Sequence, residues 1–302
     1  MSKLNQTRCS MDPIIVDWQI TSKCTRKCEF CYGPKTEPEL STKETLKVID
    51  IFKSLGVKVI GITGGEPLTR TDIVEVLKYI KDNYMAACLS TNCDLYIKYR
   101  NAILNHVDAL GIPIEGSNKA IHDRLRGKGS FEAVTSTLRD AYYNSNAKFR
   151  IGTVVTNRNY FDLKNIELVL SQFKEKIVYW KLYEFIIYPS KYQNINLAIR
   201  KRGLPEKNHV YTVLGKHLGK EKIFFDTLEK RNRSYFLIKP NGDVFIPILD
   251  KTPSEEFVVG NILEDPQKVK ENWNKYVDWK GYIKPYRCIF RKDSQLKYNL
   301  LD

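Results

Sequence analysis

The chain has 302 residues, 42% apolar and 28% charged, enough to bury a sizeable core and to exclude wholesale disorder. Its longest apolar runs, such as 59–62 and 185–188, fall far short of the roughly 20 residues of a membrane-spanning helix. Lys and Arg outnumber Asp and Glu by 49 to 35, a net charge of +14. The lysines are spread along the chain, which fits a solvated surface better than a nucleic-acid face.

Residues 1–12 read as a polar lead-in without the apolar core of a signal peptide, so the expected compartment is the cytoplasm. Residues 14–20 form a short apolar run, a first strand. The stretch 21–40 holds three cysteines, Gly33, Pro34 and Pro38 and reads as a long loop, a length that usually signals function. Ser41 and Glu44 make a capping box, Leu46, Ile49 and Phe52 follow at helical spacing, and Gly56 closes the helix. The pattern then repeats. Strands are expected at 57–63, 86–91, 109–114, 149–155 and 178–187. Helices are expected from a cap at Thr71 through Ile80, and at 95–104, 131–143 and 163–173. Strands alternating with helices call for a parallel sheet with right-handed crossovers. The expected class is α/β, a partial (β/α)6 barrel of the TIM type over residues 13–190. Beyond it, residues 191–302 read as a small α+β C-terminal extension closing the substrate side. Its parts are a polar helix at 208–218, a hairpin turning at Asn241-Gly242 and a helix at 266–276.

Seven cysteines is an odd number, and in a reducing compartment they stay thiols or bind metal. Cys24, Cys28 and Cys31 share the loop at the C-terminal end of the first strand, where α/β folds gather their active sites. A structural zinc takes four protein ligands, so that reading needs a distant fourth. An iron–sulfur cluster held by three thiolates leaves one iron open to a small ligand.

Four further motifs follow in register. They are Gly64-Gly65-Glu66-Pro67 after the second strand, Thr91-Asn92 after the third, Glu115-Gly116 after the fourth, and His122-Asp123-x-x-Arg126-Gly127. With Cys24-x-x-x-Cys28-x-Phe30-Cys31-Tyr32, this order resembles the radical S-adenosylmethionine (SAM) superfamily over residues 13–190. The resemblance implies an oxygen-sensitive enzyme with one [4Fe-4S] cluster on Cys24, Cys28 and Cys31, and SAM on its open iron. It assigns the SAM ammonium to Gly64, Gly65 and Glu66, its carboxylate to Arg126 and its ribose to Glu115. Polar contacts fall to Thr91 and Asn92, and Phe30 and Tyr32 bracket the adenine. Relatives often carry Ser-x-Asp in the fourth strand where this chain has Pro113-Ile114-Glu115, which removes one SAM contact. The implied reaction is reductive cleavage of SAM to methionine and a 5′-deoxyadenosyl radical that removes hydrogen from a substrate. A flavodoxin- or ferredoxin-type partner would supply the electron.

The rest of the chain bears on the substrate. After Cys93 only Cys288 remains, too few thiols for a second cluster. Cys288 is read either as a hydrogen donor to a substrate radical or as a buried apolar residue. Cys88 reads as core, and Cys93 as close to the site. The segment Trp180-Lys181-Leu182-Tyr183-Glu184-Phe185 is similar to a stretch of viperin-like enzymes, which act on nucleoside triphosphates. Alternation puts Lys181, Tyr183 and Phe185 on one face, where Lys181 could contact an anionic substrate; the plainer reading is an amphipathic strand. A small-molecule or nucleotide substrate is therefore expected. The alternatives are modification of a ribosomally made peptide, with tRNA not favoured, and, in another class, a non-catalytic metal or iron–sulfur protein.

Overall fold

The computed structural model describes residues 13–32, 37–188, 194 and 214–283. Runs rich in Val and Ile form strands, and each is followed by a segment with apolar residues at helical spacing. In chain order these are β1 (Ile15–Thr21), α1 (Thr42–Ser54), β2 (Val59–Gly64), α2 (Ile73–Asp82), β3 (Ala86–Ser90) and α3 (Tyr96–His106). Next come β4 (Ala109–Pro113), α4 (Lys119–Arg126), α5 (Ser130–Asn144), β5 (Lys148–Val155), α6 (Leu163–Ser171) and β6 (Ile177–Glu184). The remainder is β7 (Ile223–Asp226), α7 (Leu228–Arg231), β8 (Leu237–Ile238), β9 (Asp243–Ile248), β10 (Glu255–Asn261), α8 (Pro266–Tyr276) and α9 (Trp279–Ile283). The strands form one sheet in the order β10-β9-β8-β1-β2-β3-β4-β5-β6-β7. Strands β1 to β7 run parallel, β8 joins the free side of β1 in parallel, and β9 and β10 complete that edge antiparallel. The α/β class and the parallel barrel-type core are as expected. Among the described residues no helix is long and apolar enough to cross a membrane.

The two faces of the sheet differ in chemistry. One carries Val16, Trp18, Ile20, Ile60, Ile62, Leu110, Ile151 and Trp180, all buried. Trp18 meets Phe52 of α1 edge-on at 5.6 Å, so this face lies under the helices. The pairing registers put a different set on the other face. Asp17 aligns with Gly61 and Gly61 with Cys88, while Ser90, Gly111, Arg150 and Tyr179 align across four strands. Gly152 aligns with Lys181, and Tyr183 with Asp226. Glycine makes room there: a methyl group at Gly61 would fall 2.2 Å from the Asp17 carboxylate, and one at Gly111 2.5 Å from the Ser90 hydroxyl. The face away from the helices is thus polar.

Several local expectations change. The α1 capping box forms, with the Ser41 hydroxyl accepting from the Glu44 amide at 3.3 Å and the Glu44 carboxylate from the Ser41 amide at 2.8 Å. Helix α2 is capped by Asp72 and not by Thr71, and the Asp72 carboxylate accepts from Arg70 and Thr42 instead of its own helix. Helix α4 was not expected. It is short and polar, with Asn118 as its cap, so it has too few apolar residues to show a period. Strand β7 was missed for the same reason of length. The helix expected at 208–218 lies mostly outside the described residues. Its described part is not helical: the amides of Gly215, His217 and Leu218 all donate to the Glu167 carboxylate. The Asn241-Gly242 hairpin and the helix at 266–276 form as read.

Candidate active site

The cysteine loop leaves the end of β1 and is fixed at its root by the turn after β2. The Gly65 amide donates to the Thr21 carbonyl at 2.8 Å and the Glu66 amide to the Lys23 carbonyl at 2.7 Å. The two backbones lie so close that only glycine fits. A methyl group would fall 2.3 Å from the Thr21 carbonyl oxygen at Gly64, and 2.1 Å from that of Lys23 at Gly65. The Glu66 carboxylate is fully buried and accepts from Leu68 N at 3.1 Å, Thr91 Oγ1 at 2.9 Å and Asn92 N at 2.6 Å. Burial pushes its pKa up to about 7 against the pull of these three bonds. Its carboxylate thus braces the β2 and β3 loops.

Thr91 and Asn92 carry that brace to the cysteines. The Asn92 side-chain amide donates to Thr25 Oγ1 at 2.8 Å and reaches Cys24 Sγ at 3.7 Å. Arg26, between the first two cysteines, ties the loop down twice. Its Nε donates to Asp94 at 3.0 Å, its Nη2 also pairs with Asp94, and its Nη1 reaches the carbonyls of Arg126, Gly127 and Lys128. Those carbonyls end α4, where the helix dipole favours a cation.

Helix α4 delivers Arg126 to the loop. Its Nε donates to Glu115 at 3.2 Å, its guanidinium lies 5.3 Å from the Phe30 ring centre, and its charge acts on Cys28. Glu115 also accepts from Val154 N at 2.8 Å. Behind it His122 accepts from Glu115 N through Nδ1 at 3.1 Å and meets Ser130 Oγ through Nε2 at 3.0 Å. Burial and Arg126 hold His122 down to about 3, so it is neutral. Phe30, Leu125 and Phe185 form a small apolar patch beside this pair. Tyr32 is half exposed, with its ring 6.4 Å from that of Tyr188.

Burial pushes the Cys28 thiol up to about 11, with Cys31 and Cys24 adding to the rise, and burial raises Cys24 as well. Thiols that oppose one another's ionisation are stable together as thiolates beside a positive centre. No three His, Cys, Asp or Glu side chains among the described residues converge at the spacing of one metal ion. Three thiols on one loop, with a cation beside them, fit the iron–sulfur donor set.

Lys181 is buried with Nζ 3.4 Å from Asp226 and lies 5.3 and 5.8 Å from the Tyr179 and Tyr183 rings. Burial opposes its charge, but the surrounding hydroxyls and Asp226 outweigh it and hold its pKa well above the ordinary value. Trp180 is core and donates to Thr153 Oγ1 at 2.9 Å. Phe185 lies past the end of β6 and joins the cluster of Phe30 and Leu125. Cys93 is buried at φ 74° beside Glu66, and its thiol is pushed up to about 12 by burial. Cys288 lies outside the described residues.

Residues 18–166 match the family model of the Radical SAM superfamily. This chain carries a Radical SAM superfamily domain. The AdoMet-dependent heme synthase of Methanosarcina barkeri is 33% identical over 167 residues, 52% of this chain and 47% of that one. Mycofactocin maturase MftC of Mycobacterium tuberculosis is 29% identical over 167 residues, 53% and 42% of the two chains. The matched part thus spans less than half the length of these relatives. The fold is similar to Streptococcus suis SuiB, with TM-score 0.66, 18% identity and coverage of 90% of this chain and 67% of that one. It is also similar to anSMEcpe with bound AdoMet and Cp18Cys peptide, with TM-score 0.64, 15% identity and coverage of 87% and 81%.

The family expected from the cysteine loop and glycine turn is the family matched. Within the radical SAM domain the structure brings Cys24, Cys28, Cys31, Phe30, Asn92, Glu115 and Arg126 together, and puts Lys181 on the polar sheet face. Sequence reasoning missed Arg26, Asp94, Asp226 and Arg231. Arg26 left a signal, a cation inside the cysteine spacing. Asp226 and Arg231 left none, because only the sheet order puts them beside β6.

Proposed function

We propose that this chain is a radical SAM enzyme whose substrate is a polar small molecule or nucleotide. The observation that carries the reading is the cysteine loop with Arg126 beside Cys28 and Glu115 behind it. Cys24, Cys28 and Cys31 would hold a [4Fe-4S] cluster. Arg126, Glu115, Phe30, Tyr32, Glu66, Thr91, Asn92 and the Gly64-Gly65 backbone would hold SAM. When bound, the pair supplies one-electron reductive cleavage of SAM to a 5′-deoxyadenosyl radical. Arg126 sets a positive charge beside the thiolates and offers a charge-assisted contact to a carboxylate. Glu115 fixes the direction of that guanidinium, and neutral His122 fixes Glu115 by accepting its amide. The patch of Phe30, Leu125 and Phe185 excludes water from one side. The polar face with Lys181, Tyr183 and Asp226 supports a polar substrate, and no side chain there is assigned the hydrogen transfer. A flavodoxin- or ferredoxin-type donor and a reducing, cytoplasmic setting belong to the same reading.

A peptide substrate is the second reading. It is favoured by the name of the maturase MftC and by the likeness in fold to SuiB bound to precursor peptide SuiA. The test is anaerobic: reconstitute the cluster, add SAM and dithionite, and quantify 5′-deoxyadenosine alone and with each ribonucleoside triphosphate. A several-fold rise with one nucleotide is expected for a nucleotide substrate. A slow yield that no nucleotide changes would leave the radical reading standing and move the substrate towards other small molecules or peptides. No 5′-deoxyadenosine from a loaded cluster would leave a non-catalytic iron–sulfur protein.

A further inference from the structure

The polar sheet face carries a charged cluster that the cysteine loop and glycine turn do not use. Arg231 ends α7 and is only 5% exposed. Its Nη2 donates to the Glu184 carbonyl and its guanidinium lies 5.5 Å from the Tyr183 ring centre. Its Nε has no acceptor among the described residues. A buried charged donor left without an acceptor costs about 1–3 kcal/mol or more. Folded proteins keep such a donor where something else supplies the acceptor.

The neighbours define that something. Lys181, also 5% exposed, shares the Tyr183 ring with Arg231 and pairs with Asp226. The Tyr235 hydroxyl donates to Asp226 Oδ2 at 3.3 Å, the oxygen that also faces Lys181. The Glu184 carboxylate is turned to the start of α7, where it accepts from Leu228 N at 2.9 Å. Among the described residues neither acid is within ion-pair distance of Arg231.

We propose that Arg231, with Tyr183 stacked on it and Lys181 beside it, is a subsite for an anionic group of a small-molecule substrate, a carboxylate or a phosphate. The guanidinium edge at Nε matches either group in shape and charge. This assignment deepens the radical SAM reading and rests on it only for which end of the substrate reacts.

The test is calorimetric titration of the full chain, without SAM, with inorganic pyrophosphate, ATP and glutarate at fixed low ionic strength. At least one of these anions binds, and Arg231→Gln weakens it about tenfold or more. Arg231→Lys keeps the charge, lacks the Nε donor and falls between the two, which keeps the test open where Arg231→Gln does not fold. Lys43→Gln, on the exposed side of α1, changes nothing. Binding of the phosphates alone marks a phosphorylated substrate, and binding of glutarate alone marks a carboxylate. No binding by any of the three, or equal binding in the Arg231 variants, overturns the subsite. The readout needs no reduced cluster. A chain that makes 5′-deoxyadenosine but binds no anion loses only the subsite, and one that binds at Arg231 but makes none loses only the radical reading.

Discussion

Between the first two cysteines, Arg26 reaches the β3 loop through Asp94 and the end of α4 through three carbonyls. Its side chain is 10% exposed, so the pair with Asp94 is screened little by solvent. Arg26→Ala leaves Asp94 and the α4 carbonyls short of a donor, at a cost of about 1–3 kcal/mol. The loop then loses its grip before the fold does. Iron retained after reconstitution and desalting is expected to drop by more than the shift in thermal midpoint explains, and to recover in part in Arg26→Lys. Full iron retention in Arg26→Ala would remove the clamp from the account. Glu66 acts through protons. Its folded pKa of about 7 lies above the ordinary carboxyl value of 4.5, so between those values the folded state holds a proton that the unfolded state has released. Stability therefore falls as pH rises through this window, by up to ~1.4 kcal/mol per pH unit, and levels off above it. Urea unfolding from about pH 5 to about pH 8, at one cluster loading, is expected to show a decline that Glu66→Gln reduces. Parallel curves for the two proteins would assign the decline to other groups.

At the scale of elements, glycines carry two different duties that substitution separates. At Gly65 the obstacle is the Lys23 carbonyl, part of a backbone that β1 and the cysteine loop hold in place. Gly65→Ala is expected to cost about 3 kcal/mol or more, since neither backbone can give way. At Gly129, which caps α5 with φ 81°, a methyl group would meet nothing within 4 Å. Gly129→Ala carries only the left-handed penalty of about 1–2 kcal/mol. Denaturant midpoints order the two, and the reverse order would mean that the loop yields more readily than the helix cap. Legibility follows a similar division. Helices α1, α2, α5, α6 and α8 were readable because long segments repeat a 3.6 period, and the Ser41 box sits directly at the start of its helix. Helix α4 was not, because its residues serve charge more than packing: Arg126 pairs with Glu115, and the Asp123 carboxylate accepts the Gly129 and Phe131 amides. The site motifs were legible as types in register, while their partners were not. That Glu66 faces Thr91 and Asn92 depends on how two loops meet, which spacing along the chain does not encode.

At the scale of the whole molecule, the sheet divides its chemistry between its faces, and the C-terminal strands take part in both. Strand β8 pairs with β1 across more than 200 residues of sequence, Asp17 with Leu237 and Trp18 with Ile238. Strand β7 adds Asp226 to the polar face beside β6. No local signal announces contacts of that range, which is why the hairpin is legible in the sequence and its place beside β1 is not. The polar face has a cost in stability. A buried ion pair such as Lys181 with Asp226 gains little over apolar residues of similar volume, since both charges have left water. Removing one partner is worse, because the other charge stays buried. Lys181→Met is therefore expected to destabilise the protein by about 3 kcal/mol, although Tyr235 still donates to Asp226. Lys181→Met combined with Asp226→Leu should recover most of that loss and come within about 1 kcal/mol of the starting protein or exceed it. The double-mutant cycle, read by urea unfolding, gives the coupling directly. If the two losses simply add, the pair contributes through packing and not through charge. If the double variant regains stability while losing substrate-dependent turnover, the polarity of this face is kept for binding and not for folding.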